Sequence, residues 1–191
     1  MPFEFKKASL KGIILIQPRR FSDTRGSFEE CYHLRDFAAH GIPDAFVQDN
    51  TSYSIKNTIR GLHFQKAPHG QAKLVKVLAG RVLDVAVDIR EKSDTYGQHI
   101  AIEINSDTGN MVYIPEGFVH GFSVLSDSAI VHYKTTRYYD PDSEAGVSFQ
   151  DPELGIDWKI THPFVSPKDT ELPPLKDIKP FTVPKDATAQ L

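Results

Sequence analysis

One cysteine, one tryptophan and two methionines occur among 191 residues. A lone thiol, Cys31, cannot close an intramolecular disulfide, and such sparing use of cysteine fits a reducing compartment. Long apolar runs are missing as well. None approaches the roughly 20 residues that span a bilayer, so no membrane partner is expected. The opening Met-Pro-Phe-Glu-Phe-Lys-Lys has no signal-peptide core, and cytoplasmic residence is expected. Excess positive charge is also missing: 22 Lys and Arg stand against 25 Asp and Glu, for a formal net charge of −3. Nothing global attracts nucleic acid, so any anion site must be a local basic cluster. No internal repeat or linker is evident. The length favours one domain over residues 1–191, and 40% hydrophobic residues suffice for a core.

What is present is mostly strand pattern. Residues 99–104 alternate, with Ile100, Ile102 and Ile104 opposing His99, Ala101 and Glu103. Residues 81–88 do the same, with Leu83, Val85 and Val87 opposing Asp84, Ala86 and Asp88. Residues 12–17, 45–49, 74–78, 110–114 and 130–134 also read as strands. Gly and Pro punctuate them at Ala79-Gly80, Pro115-Glu116-Gly117 and Asp140-Pro141-Asp142. One short helix is expected over residues 34–40, stopped by Gly41. Many short strands with tight turns indicate a sandwich or barrel. The Pro- and Lys-rich tail from about Pro173 is expected to be peripheral.

The densest chemistry lies in Arg60-Gly61-Leu62-His63-Phe64-Gln65 and in Gln71-Ala72-Lys73-Leu74-Val75 just behind it. A base candidate, two cations and two amides fall within fourteen residues, beside apolar strand formers. Such groups are costly to bury without partners. Their convergence on a strand pair suggests a lined cavity, against the alternative of an ordinary charged surface strand. In Gly109-x5-Pro115-x-Gly117-x2-His120, Pro115 and Gly117 set a turn that projects His120 inward. In Asp23-x-Arg25-Gly26-x-Phe28-x-Glu30, Arg25 either clamps a phosphate with Arg60 or pairs with Asp23 or Glu30. Gln48-Asp49-Asn50-x-Ser52 either lines a pocket or makes a turn. Tyr133 and Tyr138 are proton donors or stacking rings, or ordinary strand-end filler.

The Pro115–His120 spacing resembles the second motif of the cupins, small jelly-roll proteins. Together the motifs resemble the nucleotide-sugar epimerase branch of that superfamily, the dTDP-4-dehydrorhamnose 3,5-epimerases. The matching pieces run in order from the Asp23/Arg25-Gly26 segment and Gln48-Asp49-Asn50 through the His63 and Lys73 segments. Asp84-Val-Ala-Val-Asp88-Ile-Arg90, Ile114 to His120, Tyr133-Lys134, Tyr138 and Glu144 follow. Asp151-Pro152, Ile156-Asp157-Trp158 and Ser166-x-Lys168-Asp169 complete the set. They cover roughly residues 10–175.

The resemblance implies an all-β cupin jelly roll (double-stranded β-helix) with short helices, homodimeric, with an N-terminal strand exchanged between subunits. It implies a metal-free, cofactor-free isomerase in dTDP-rhamnose biosynthesis. Its substrate is dTDP-4-dehydro-6-deoxy-D-glucose and its product dTDP-4-dehydro-L-rhamnose, inverted at C3 and C5. His63 matches the base, Asp169 the carboxylate orienting it, Lys73 the cation at the developing oxyanion, and Tyr133 the acid on the opposite face. Arg25 and Arg60 match the diphosphate ligands. Glu30, Gln48, Asn50 and Tyr138 match contacts to thymidine or its diphosphate, with Asp49 in the same substrate-binding run. His120, Glu144 and Lys168 match the sugar side.

Three positions and one stretch depart from the family pattern. Ser27 stands where relatives often carry an aromatic, Ala72 replaces a common Gly, Val124 replaces a common Asn, and the stretch between Glu30 and Gln48 is slightly short. A metal site is disfavoured, because Gly61 and Gln65 flank His63 where ligands belong, and His63 and His120 fall short of the three or four a metal needs. The rival readings are a monofunctional 3- or 5-epimerase, a 3,4-ketoisomerase, a metal-dependent cupin oxygenase and a non-catalytic nucleotide-sugar sensor.

Overall fold

The computed structural model describes residues 2–42 and 45–183. Thirteen strands are named in it. β1 (Phe3–Lys7), β2 (Ile14–Pro18), β10 (Met111–Ile114), β7 (Lys73–Ala79), β12 (Ser128–Thr135) and β5 (Gln48–Ile55) form one sheet in that order. β13 (Glu144–Gly146), β6 (Ile59–Gln65), β11 (Phe118–Val124), β8 (Arg81–Asp88) and β9 (His99–Asn105) form the second. β3 (Arg20–Asp23) and β4 (Gly26–Glu29) make a separate hairpin. Every named pairing between strands is antiparallel. The two stacked sheets are the jelly roll that the family resemblance implies, within the sandwich-or-barrel class that the alternating pattern and short strands indicate.

Burial follows from the alternation. Val75, Val77, Val112, Val131, Val82, Ala86, Phe118 and Phe122 come from both sheets and meet between them. On the outer side of the five-stranded sheet, Leu83, Val85, Val87 and Val119 pack against Phe149, Trp158, Leu175 and Phe181. On the outer side of the six-stranded sheet, Ile14, Ile16, Leu74 and Met111 pack under Phe37 of α1 (Leu34–Ala39). α1 is held at its start by His33, whose ring accepts from the Asp36 N–H, and the chain leaves it through Gly41 at φ 88°.

Three expectations are corrected. The reading of residues 45–49 as a strand is out of step with β5, which begins at Gln48 and runs on to Ile55. β6 and β7 were expected to pair; instead they lie in different sheets and face each other, because residues 66–72 carry the chain across. The tail from 173 was expected to be peripheral, yet Leu175 and Phe181 are buried. The Phe181 N–H donates to the Ile89 carbonyl at 2.7 Å, and the Glu91 N–H donates to the Phe181 carbonyl at 2.8 Å. This covering also explains why β8 is buried on both faces beyond Arg81 rather than one. Among the described residues, no helix is long and apolar enough to cross a membrane.

Candidate active site

The crossing of β6 and β7 onto opposite sheets creates a cavity of about 520 Å³. Arg60, His63, Lys73, His120, Tyr133, Glu144, Lys168 and Asp169 line it, together with Ser52, Phe122, Phe164 and Ser166. β6 and β11 approach closely there. A Cβ added at Gly61, itself at φ 124°, would lie 2.5 Å from the Gly121 Cα. Only glycine allows this approach, and it brings His63 directly opposite His120 in the strand register.

His63 Nε2 lies 2.7 Å from Asp169 Oδ1. Asp169 stands on the one-turn helix α2 (Pro167–Thr170), its backbone N–H donating to Ser166 Oγ at 3.1 Å. The Gly61 N–H donates to its other oxygen at 3.3 Å. Burial alone would raise the Asp169 carboxyl, but the bonds from His63, Gly61 and Ser166 outweigh it and hold its pKa below the ordinary value. An ionised Asp169 fixes the His63 tautomer with the proton on Nε2 and leaves Nδ1 as the basic nitrogen. Among the described residues Nδ1 has no hydrogen-bond partner, so it is open to a ligand.

Lys73 projects from the facing sheet. Its Nζ is 3.5 Å from the His63 carbonyl oxygen and 6.0 Å from the centre of the Tyr133 ring. Burial pushes its pKa down to about 8, against the opposing pull of Asp84 and Glu144. Tyr133 sits opposite Val75 and Asn50 in the strand register. Burial raises its phenol pKa, with Glu144 adding to the rise and Arg60 opposing it, so the ring keeps its proton at neutral pH.

His120 forms a second His–Asp pair, Nε2 to Asp84 Oδ2 at 2.8 Å, with both residues buried. Burial lowers the His120 pKa despite that carboxylate. Glu144 Oε2 accepts from Lys168 Nζ at 2.5 Å and from the Tyr139 hydroxyl at 2.6 Å. Arg60 Nε donates to Ser54 Oγ at 2.9 Å at the outer rim of the cavity.

Other expected site residues lie outside this lining. Arg25, at the tip of the β3–β4 hairpin, pairs with Asp23 at 2.6 Å and is 86% exposed along its side chain. That is the ion-pair alternative at this position. Glu30 follows the same hairpin. Gln48 Nε2 donates to Asn50 Oδ1 at 2.8 Å, and Gln48 Oε1 accepts from the Tyr139 N–H at 2.9 Å. Asp49 faces the outer side of its sheet and pairs with Lys134 at 2.6 Å. Tyr138 is 71% exposed. Sequence reasoning placed Ser52 in a run that could line a pocket and Tyr139 beside Tyr138 among the tyrosine candidates, but gave neither a specific role, and it gave Asp84 none beyond its place in a matching motif. Asp84 carried a signal: a carboxylate within an apolar strand requires a partner when buried. For the other two the sequence signal stopped at a polar run and a tyrosine pair, because their partners depend on which strand lies beside them. Among the described residues, no three His, Cys, Asp or Glu side chains gather as a metal site would need.

The family model of dTDP-4-dehydrorhamnose 3,5-epimerase matches residues 7–177. A Methanothermobacter thermautotrophicus protein of that name is 43% identical over 178 residues, covering 92% of this chain and 96% of its own. A Streptomyces niveus dTDP-4-dehydrorhamnose 3-epimerase is 41% identical over 163 residues, 85% of this chain and 79% of its own. The crystal structure of a Legionella pneumophila dTDP-6-deoxy-D-glucose-3,5-epimerase in complex with dTDP-4-keto-L-rhamnose is 41% identical. It superposes with a TM-score of 0.89, covering 93% of this chain and 95% of that one. Matched in sequence along most of its length and in fold by a nucleotide-sugar complex, this chain belongs to the dTDP-4-dehydrorhamnose 3,5-epimerase family.

Proposed function

We propose that this protein inverts C3 and C5 of dTDP-4-dehydro-6-deoxy-D-glucose to give dTDP-4-dehydro-L-rhamnose, in dTDP-rhamnose biosynthesis. In this reading it is one cupin-type domain, working as a cytoplasmic homodimer. The observation that carries the reading is the oriented His63–Asp169 pair, with a protonated Tyr133 and a buried Lys73 on the facing sheet.

The hydrogens at C3 and C5 flank the C4 ketone and are weakly acidic. His63 Nδ1 takes one of them as a proton, and Asp169 supports the imidazolium that results. The electron pair moves into an enolate whose oxygen lies by Lys73 Nζ. A preorganised cation there lowers the barrier by about 3–4 kcal/mol. Tyr133 then delivers its hydroxyl proton to the opposite face of the same carbon. Inversion requires two groups on two faces, since a base that returned its own proton would restore the starting centre. Solvent reprotonates Tyr133 and takes the proton from His63 before the second carbon reacts.

Arg60 holds the diphosphate in this reading, and His120, Glu144 and Lys168 hold the sugar. Gln48, Asn50 and Tyr138 serve the nucleotide end. Arg25 and Glu30, on the outlying hairpin, reach the site of a second subunit. The uncovered face of the six-stranded sheet supports the dimer: Tyr53, Ile55 and Leu78 are 62%, 51% and 50% exposed there.

The test is proton NMR of the 4-keto substrate with EDTA-treated protein in heavy water. Deuterium at both C3 and C5, with a product reducible to dTDP-rhamnose, is the expected result. Deuterium at one carbon only would assign a single-centre epimerase, as in the Streptomyces niveus relative's name. No exchange would overturn the epimerase reading.

A further inference from the structure

Lys76 is only 6% exposed, although it faces away from the cavity. It lies on β7 opposite Met111 and His132, and Met111 belongs to the cluster outside the six-stranded sheet. Lys73, on the same strand, lines the cavity. A buried charge is costly unless it is paired and hydrogen-bonded. The partners of Lys76 come from the base of the β3–β4 hairpin. Its Nζ donates to Glu29 Oε1 and lies 3.1 Å from Cys31 Sγ. Glu29 ties the hairpin down a second time, because Arg20 Nε donates to Glu29 Oε2 at 2.8 Å. The same guanidinium donates to the Asp107 carbonyl and, at 2.9 Å, to the Ser106 carbonyl. A Cβ added at Gly109 would lie 2.7 Å from both Arg20 Nη2 and Glu29 Oε2, so glycine there leaves room for the pair.

Stability alone does not account for this cluster. Apolar residues of similar volume usually stabilise as well as a buried ion pair or better. What the charges add is a defined placement. Lys76 holds the side chains on either side of Glu30 and not Glu30 itself. Side chains alternate along an extended chain, so turning Glu29 and Cys31 toward β7 directs Glu30 the other way. Beyond this anchor the hairpin stands out as an arm. Arg25 at its tip is 86% exposed along its side chain, and Phe28 is 66% exposed.

We infer that Lys76 is a positioning residue for nucleotide binding: through Glu29 and Cys31 it fixes the hairpin in the orientation that presents Arg25 and Glu30 to the site of a second subunit. This rests on the nucleotide-sugar reading and the dimer proposed above. Lys76 itself touches no substrate. Because Lys73 and Lys76 share β7, one strand supplies the cation of its own site and holds the arm that completes the next one.

The test measures dTDP binding by calorimetric titration, turnover of the 4-keto substrate, and thermal melting. It compares wild type with Lys76→Arg, Lys76→Met, the double variant Lys76→Met/Glu29→Met, and Arg25→Ala. Lys76→Met is expected to raise both KM and the Kd for dTDP about tenfold, with kcat within about threefold of wild type, the pattern of lost uniform binding. Lys76→Arg keeps the charge and should recover most of the binding. The double variant removes both charges, so it should melt close to wild type and still bind dTDP as weakly as Lys76→Met. A double variant that binds dTDP like wild type would make the cluster structural and overturn the inference. A fall in kcat as large as the fall in kcat/KM would overturn it too, placing the effect on the chemical step. Unchanged dTDP binding by Lys76→Met beside weakened binding by Arg25→Ala would overturn the inference and leave the hairpin its role. Arg25→Ala that binds dTDP like wild type would remove the hairpin from the site, and this inference with it. Wild type that binds no dTDP would overturn the nucleotide-sugar reading on which both rest.

Discussion

In the proposed reaction three side chains carry opposed chemical duties within one cavity, and their environments separate those duties. The His63→Ala variant removes the basic nitrogen without touching the diphosphate end. Turnover is expected to fall by about 10²–10⁴-fold, with dTDP binding nearly unchanged by titration. Near-normal turnover would defeat the base assignment. Tyr133→Phe is expected to keep deuterium exchange into the substrate while product formation collapses, because abstraction survives and delivery to the far face does not. Equal loss of both would remove Tyr133 from the acid role. Lys73 sets a pH limit. With its pKa lowered by burial to about 8, it is charged below that value and neutral above it. Oxyanion stabilisation should therefore fade as pH rises through about 8, a limb visible in kcat/KM. Lys73→Arg, whose guanidinium stays charged, should lack that limb whatever its absolute rate.

At the scale of elements, loops that look ordinary in sequence hold the strands in place. Asp88 closes β8 by accepting from the Arg90 backbone and guanidinium, from Ser93 Oγ and from Thr95 Oγ1. It is fully buried. Burial opposes its charge, but these bonds outweigh burial and hold its pKa at about 2, below the usual 3.8. The folded-state value is depressed, so this stability is present above about pH 4 and is lost as pH falls toward 2. The linked contribution is about 2 kcal/mol. The Asp88→Asn variant is expected to lose about 3 kcal/mol by denaturant unfolding at neutral pH, because it breaks a buried ion pair, and to flatten the acid limb of stability. The C-terminal segment behaves in the same way. Phe181 seals the outer face of the five-stranded sheet, so Phe181→Ala should cost about 3–5 kcal/mol. A loss within about 0.5 kcal/mol, the usual surface range, would return the segment to the periphery. The alternation over residues 81–88 was legible as strand. Its two-sided burial was not, because the cover comes from residues more than sixty positions away.

At the scale of the whole molecule, the proposed dimer bears on two residues matched to the site that lie outside the cavity. Arg25 and Glu30 stand on a hairpin outside the cavity, while Tyr53, Ile55 and Leu78 leave an apolar face open on the same six-stranded sheet. A two-fold dimer answers both features, and a complementation assay tests it. Arg25→Ala and His63→Ala, each nearly inactive alone, are co-expressed and purified together. If each site takes Arg25 from one subunit and His63 from the other, half of the dimers are mixed and each mixed dimer holds one intact site. Activity should then recover to roughly a quarter of wild type under two-fold symmetry. No recovery would confine each site to a single chain.

The sequence by itself determined the period-two strands, the turns at Gly80 and Gly117, and the polar cluster from Arg60 to Lys73. Local sterics and side-chain alternation act over a few residues, and a reader of the chain sees them directly. It also carried the pattern by which the family is recognised, since those residue types recur in a set order. Only the tertiary structure decided that β6 and β7 face each other instead of pairing. It alone set Asp169 against His63 from 106 positions away, gave His120 a carboxylate in Asp84, and left Ser52 without one. Each of those outcomes depends on which strand lies beside which. That is settled by the packing of two sheets around a shared core, and no local pattern encodes it.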